Sequence, residues 1–279
     1  MRRGAFTALL VGALALALFF LALPLIAIFA EAGPAAIVRQ LGSASARDAI
    51  VVSLETNLIA QAVILAVGTP AAYLLATRRF RGRTLALTLL ELPLVLPPAV
   101  AGVGLLAAFG SQGLLGGSLD VLGLRLPFTQ TAVVLAVIFV ASPFYLRQAV
   151  AAFEAVDPDL LAAARTLGAR PARAFGRIAL PLALGGLGAG ATLAFARGLG
   201  EFGATIIFAG SFPGRTQTLP LAIYAEFDRD FTTALAIGAL LVAVSAAILL
   251  TTRLVTRWSP FGSTWTSPSA TSGSASPSR

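Results

Sequence analysis

Arg197 and Glu201 stand four residues apart in LAFARGLGEFGAT (193–205), inside an otherwise apolar run. On a helix that spacing puts both side chains on one face. An arginine at mid-bilayer costs roughly 2.5–3.5 kcal/mol on insertion scales, and an opposite charge one turn away reduces that cost. The favoured reading is an internal ion pair that fixes helix packing. The alternative is an Arg197 that faces a wet cavity and attracts an anion. Glu201 must then point away, because a carboxylate repels a dianion. Just downstream, Thr205, Ser211, Arg215, Thr216, Gln217 and Thr218 supply hydrogen-bond donors. Hydroxyl and amide donors suit a tetrahedral oxyanion, though ordinary loop solvation is their commoner role.

Composition removes most covalent chemistry. The chain has no Cys and no His, and each of its 20 basic residues is Arg. Disulfides, thiol catalysis, thiolate or imidazole metal sites and Schiff-base lysines are therefore excluded. So is a P-loop, whose Lys must reach the nucleotide phosphates. No acids cluster across spans, which argues against a membrane-embedded enzyme. Glu91 and Glu201 are the acids that an ion-coupled carrier would use. The net charge of +8 does not indicate nucleic acid, because the arginines lie between apolar runs rather than on one soluble face.

The elements that must hold these residues are membrane spans. The chain is 57% hydrophobic and 11% charged, where a soluble domain carries roughly a quarter charged residues. Six apolar runs are long enough to cross a bilayer, near 5–30, 50–77, 84–109, 130–152, 181–208 and 233–254. The first run is too long for a signal peptide and has no A-x-A site after it, so it reads as a retained span. With the N-terminus in the cytoplasm, 14 arginines fall inside and five outside. The positive-inside rule then places both termini in the cytoplasm. Residues 1–258 form the membrane domain. Residues 259–279 are nearly all Ser, Thr, Pro, Gly and Ala, a composition expected to stay disordered.

Two spans carry irregular features. LPLVLPP places Pro93, Pro97 and Pro98 within the third run. Each proline removes a backbone donor, so the segment is either kinked or a broken helix lining a pathway. Gly186-x-x-x-Gly190 opens the fifth run and fits either a dimer interface or internal packing. After that run, Leu219 to Tyr224 is apolar enough to re-enter the membrane or to form a gate-side helix.

Between the fourth and fifth runs, at 153–180, lies a capped and Arg-rich inner loop containing DPDLLAAARTLGARPARAFGRIALP (157–181). Asp157 can cap a helix whose first residue is Pro158, and Gly168 suits the left-handed position past its end. A helix over Pro158 to Leu167 places Leu160, Ala164 and Leu167 on one face. A second helical piece begins near Pro171 and runs through Ile178 into Pro181 and the next apolar run. The loop is either an amphipathic linker on the membrane surface or a docking element. Ala162, Ala163, Ala164 and Gly168 permit close backbone approach by a cytoplasmic partner.

Ala162-Ala163-Ala164, then Gly168, then Ile178-x-Leu180-Pro181 resembles the "EAA" loop of ABC importer permeases. That family usually carries Glu first; this chain has Ala162, which removes the acid. LPLVLPPAVAGVGLL (92–106), ARGLGEFGAT within 193–224 and RRFRGR (78–83) look like the molybdate-type permease subunit. The resemblance covers roughly residues 50–252. Sulfate-type permeases are similar, with Tyr-Gly-Ser where this chain has Phe202, Gly203 and Ala204.

The resemblance implies an all-α, six-span permease of the type I importer fold in a bacterial inner membrane. It implies a homodimer bound inside to a separate ATPase, which holds ATP and Mg, and outside to an oxyanion-binding protein. This chain itself is expected to hold no cofactor and no metal. Asp157, Leu160, Ala162, Ala163, Ala164, Gly168, Ile178, Leu180 and Pro181 become the ATPase-coupling residues. Pro97, Pro98, Arg197, Glu201 and Thr205 become pathway candidates for molybdate or tungstate. Sulfate or thiosulfate transport, and ion-coupled secondary transport, are the alternatives.

Overall fold

The computed structural model describes residues 3–257, which form helices in the order α1 (Arg3–Ala32), α2 (Pro34–Leu41), α3 (Ala44–Thr77), α4 (Arg83–Val95), α5 (Pro98–Phe109), α6 (Gly116–Val121), α7 (Gln130–Glu154), α8 (Pro158–Thr166), α9 (Pro171–Ala174), α10 (Leu180–Leu199), α11 (Gly203–Phe208), α12 (Leu219–Phe227) and α13 (Phe231–Arg257). A π-helical stretch, Phe175–Ala179, joins α9 to α10. The expected disordered tail, 259–279, lies outside the described residues.

Among the described residues, five helical segments are long and apolar enough to cross a membrane, or six if α4 and α5 count as one broken span. The core forms around α7. Thr129 caps it by accepting a hydrogen bond from the Ala132 amide at 3.3 Å. Ala132, Val133, Ala136, Val137, Val140 and Ala141 then pack inward against α3, α10 and α11. In lipid the burial of apolar area drives little, so close backbone approach and van der Waals contact must hold such helices together. The glycines supply that approach. A Cβ at Gly186 would stand 2.5 Å from Ala152 Cβ, and one at Gly190 would stand 2.9 Å from Gln148 Cβ. The Gly186-x-x-x-Gly190 motif is therefore an internal seam between α10 and α7. Gly68 meets the Tyr145 ring in the same way at 2.9 Å.

α1 is exposed along nearly its whole length and rests on α13 and α2.

Of the two readings open for the third run, a kink or a broken helix, the structure has the broken helix, and the fifth run differs from its expected bounds. α4 and α5 meet at Leu96–Pro97 with a bend of 117°, far more than a proline kink. Two consecutive prolines leave no amide at 97 or 98 to continue the ladder, so the chain restarts as a new helix. The fifth span begins earlier than 181, at Pro171, and ends at Leu199 rather than 208. Pro181 lies inside it without ending it: the π turn just before spaces the backbone so that the ring fits the first turn of α10. Beyond Leu199 the helix stops, and 203–208 is the separate short helix α11.

Candidate functional site

The inner loop folds as a short helix set on an aromatic base. Asp157 caps α8 through Oδ1, which accepts from the Asp159 amide at 2.9 Å. Asp159 in the first turn and Arg165 in the last both suit the helix dipole. α8 ends in a Schellman motif: the Ala169 amide donates to Ala164 O at 2.9 Å and the Gly168 amide to Arg165 O at 3.0 Å. Gly168 has φ +81°, and a Cβ there would meet nothing within 4 Å. Glycine is thus required by the backbone, with open space around it.

The apolar face differs from the one expected. Leu161 and Ala164 turn inward, each 8% exposed, while Leu160 at 47% and Leu167 at 88% point outward. The reason is register: Leu161 and Ala164, three apart, are the pair that joins the core cluster holding Phe153, where α8 packs on α9 and the π stretch. Leu160, Ala162, Ala163, Leu167 and Gly168 therefore share the outer surface. Ile178 and Leu180 are half-buried and Pro181 is exposed, while Ala174 before them and Ala179 between Ile178 and Leu180 are buried.

Below α8, Tyr73, Phe153 and Phe175 form a three-ring cluster with centroids 5.3, 4.7 and 6.1 Å apart. It ties the ends of α3 and α7 to the π stretch. Sequence reasoning missed these rings. Their one signal was that each lies within a turn or two of a span end, where aromatic residues are common anyway.

The second constellation lies at the break after α10. The Arg197 guanidinium stands 2.8 Å from Glu201 Oε2, so the ion pair read from the spacing is present. Glu201 is not on the same helix, however. It sits in the Gly200–Phe202 break, and its Oε1 accepts from the Ala204 amide at 2.7 Å, capping α11. Its side chain is 1% exposed, against 27% for Arg197. One carboxylate thus neutralises the intramembrane arginine and starts the next helix.

α11 packs against α5 with almost no side chain between them. A Cβ at Gly203 would stand 2.6 Å from Pro98 Cβ, and one at Gly102 would stand 2.9 Å from Ala204 O. The two broken spans therefore meet at their broken ends. Pro97 and Pro98 are exposed there, and Thr205 is fully buried with its hydroxyl unpartnered. Of the five pathway candidates, Pro97, Pro98 and Arg197 reach the surface; Glu201 and Thr205 do not.

A buried polar strip on α3 holds this region, and the sequence reading overlooked it. Asn57 Nδ2 donates to Phe195 O and Gln61 Nε2 to Ala191 O, both at 3.1 Å, and Ser53 Oγ accepts from the Leu219 amide at 2.7 Å. Ser53, Asn57 and Gln61 recur every four residues in an apolar run, and that periodicity was the available signal.

The loop after α11 is not simply solvated. Thr216, Gln217 and Thr218 are buried. Thr216 Oγ accepts from the Phe212 amide at 3.0 Å, and Gln217 Nε2 donates to Ser211 Oγ at 3.2 Å. Arg215 alone of that set is exposed. Leu219–Phe227 forms the helix expected there, α12. Glu91, the other acid considered for ion coupling, is half exposed and lies 4.0 Å from Arg147.

Residues 68–260 match the family model described as "Binding-protein-dependent transport system inner membrane component". The chain belongs to that family. Its members are membrane components of ABC importers, which excludes an ion-coupled carrier as the class of this permease. The chain is 41% identical to the molybdenum transport system permease protein ModB of Mycobacterium tuberculosis, over 83% of this chain and 88% of that protein. It is 40% identical to ModB of Escherichia coli K12, over 76% and 92% of the two chains. A sulfate transport system permease protein CysW from Synechocystis is 35% identical over 85% and 88%. Among solved structures, a bacterial alginate ABC transporter in complex with its periplasmic protein matches with TM-score 0.70 at 20% identity, over 92% and 95%. The permease shares that fold.

Proposed function

We propose that this chain is the permease subunit of an ATP-driven importer of molybdate or tungstate. The similarity to ModB proteins of two distant bacteria, across most of both chains, carries this reading. Both termini lie in the cytoplasm, by the distribution of arginines. Two copies form the pathway, two ATPase subunits bind inside, and an oxyanion-binding protein delivers substrate outside.

α8 is the element that the ATPase grips. Its outward Leu160, Ala162, Ala163 and Leu167 offer a small, apolar surface that fits a groove, and Gly168 lets the chain turn away without a side chain. Docked there, a closing ATPase pair pushes on α8. Leu161 and Ala164 pass the displacement to the ring cluster, and thence to α3, α7 and α10. Rigid shifts of packed helices of this kind alternate the two openings of the pathway.

The break after α10, which carries the Arg197–Glu201 pair, leads directly into α11, where α11 packs on α5. A helix broken in the membrane is tolerated where it lines a cavity. Arg197 is held by Glu201, so its net attraction for a dianion is small. That suits a path which passes substrate on, with tight recognition left to the binding protein.

The 35% identical sulfate permease supports a second reading, sulfate or thiosulfate transport. Uptake by the reconstituted complex, with molybdate, tungstate and sulfate in competition, tests the two. Molybdate or tungstate is expected to suppress the uptake of the others. Preferential sulfate uptake would overturn the assignment.

A further inference from the structure

A cavity of about 550 Å³ opens beside α8, between the end of α3, the start of α4 and the end of α7. Four arginines line it: Arg78, Arg79, Arg83 and Arg165. Among the described residues only one carboxylate does, Glu154. That carboxylate is already engaged, with Oε1 2.6 Å from Arg83 Nη2. Arg83 is further fixed by its Nε, which donates to Leu75 O at 2.7 Å. Among the described residues, Arg78, Arg79 and Arg165 have no carboxylate within ion-pair distance.

Arg78, Arg79 and Arg165 are exposed at the rim of this concavity, where solvent screens them in part, and its walls focus their combined potential on an anion that enters. Coupling to the ATPase accounts for the outward face of α8, but Arg165 and Leu161 line the cavity behind it. Arginine is also the side chain best matched to a tetrahedral oxyanion, through its planar fork of donors.

The surroundings point to the source of that anion. The cavity lies where α3 and α7 end and α4 begins, at the edge of the apolar zone. α4 buries none of its residues, and Leu85 and Leu89 on it are 62% and 57% exposed. Phe80, in the connection that carries Arg78 and Arg79, is also exposed. A basic concavity joined to an apolar helix surface fits a molecule that is anionic at one end and hydrocarbon at the other.

We infer that this cavity holds a phosphate-type oxyanion, supplied by the headgroup of an acidic phospholipid whose chains lie along α4. The headgroup bridges Arg165 on α8 to Arg78 and Arg79, and so steadies the seat of the coupling helix. The inference rests on the inward orientation of this loop proposed above.

The test uses the full-length chain in lipid nanodiscs. Spin-labelled phosphatidylglycerol and spin-labelled phosphatidylcholine are compared by the fraction each shows in motional restriction. The wild type is expected to prefer phosphatidylglycerol, and the preference should fall roughly fivefold for each cavity arginine removed. The variants are Arg165→Gln and the triple Arg78→Gln/Arg79→Gln/Arg165→Gln. The double Arg170→Gln/Arg173→Gln removes charge from exposed positions of the same loop outside the cavity. If that control lowers the preference as much as the cavity variants do, the effect is general surface charge and the inference fails.

The chain has no cysteine, so Leu167→Cys gives a unique site for a fluorescent reporter on α8. Inorganic phosphate is titrated into discs of phosphatidylcholine alone. A response that the triple variant abolishes upholds the oxyanion site and moves its source to the soluble phase. If neither lipid nor phosphate produces a response, the inference is overturned. Loss of ATPase capture in the triple variant alone would then make the cavity a protein socket. ATP-driven molybdate uptake by the same preparations reports on the transport reading separately, since lipid selectivity needs no transport.

Discussion

Removing one partner of the Arg197–Glu201 pair tests whether this pair is structural or serves the substrate. Glu201 is 1% exposed and Arg197 27%, so the two single variants should differ. In Arg197→Ala the carboxylate is left buried without its cation, and breaking a buried pair this way costs about 3–5 kcal/mol. Glu201→Gln leaves a cation that is partly wet, and its amide oxygen can still accept from the Ala204 amide, 2.7 Å from Oε1 in the wild type. Its cost should be smaller, about 1–3 kcal/mol after allowing for solvent around Arg197. Glu201→Ala loses the cap as well, adding about 1 kcal/mol. The double variant Arg197→Ala/Glu201→Gln removes both charges and keeps the cap. It should be more stable than Arg197→Ala alone. Thermal loss of the monodisperse peak on size exclusion, in detergent, ranks the variants and gives the coupling between the two sites. Strict additivity would refute the pair as a stabilising unit. A well-folded Arg197→Ala protein that has lost molybdate uptake would refute it more directly, by placing Arg197 in the service of the anion.

Gly168→Ala should cost only the strain of φ +81°, about 1–2 kcal/mol, because the site is open. Gly168→Trp should in addition abolish capture of the ATPase while the chain still inserts, as pull-down from membranes would show. Gly186→Ala should destabilise the seam by about 1–3 kcal/mol, since its Cβ would lie 2.5 Å from Ala152 Cβ. Ala152→Gly in the same chain should restore much of the loss in the same thermal assay. Asp230 is held below the usual carboxylate range, first by the Thr233 hydroxyl that donates to it and then by the Thr233 and Thr232 amides. Its contribution is fully present above the ordinary carboxylate value and is lost as pH falls through the lowered one. Asp230→Asn should therefore flatten the acid limb of a stability profile; an unchanged limb would show that other carboxylates set it.

The inner loop was readable in advance because its signals are local. Asp157, Pro158 and Gly168 act within a turn of themselves, and the cap and Schellman motif formed where they stand. The ion pair was readable for the same reason. The end of the fifth span was not, because the break after Leu199 goes with the packing of α11 on the distant α5. Nor was the face of α8. Leu160, Leu161, Ala164 and Leu167 are similar side chains, and only the position of the aromatic base selects two of them.

Composition and arginine placement set the class of the molecule: apolar runs of bilayer length leave lipid as the solvent, and the lack of Lys, His and Cys removes chemistry that no fold could restore. The arrangement of the broken spans belongs to the tertiary structure. Whether Pro97 and Pro98 merely bend a helix or end it depends on what lies opposite, and the glycines of α5 and α11 lie a hundred residues apart. Their contact, and the gathering of Arg78 with Arg165, arise only when α7 brings distant segments together. Such long-range pairings leave no periodicity in the chain, so only the packed fold reveals them.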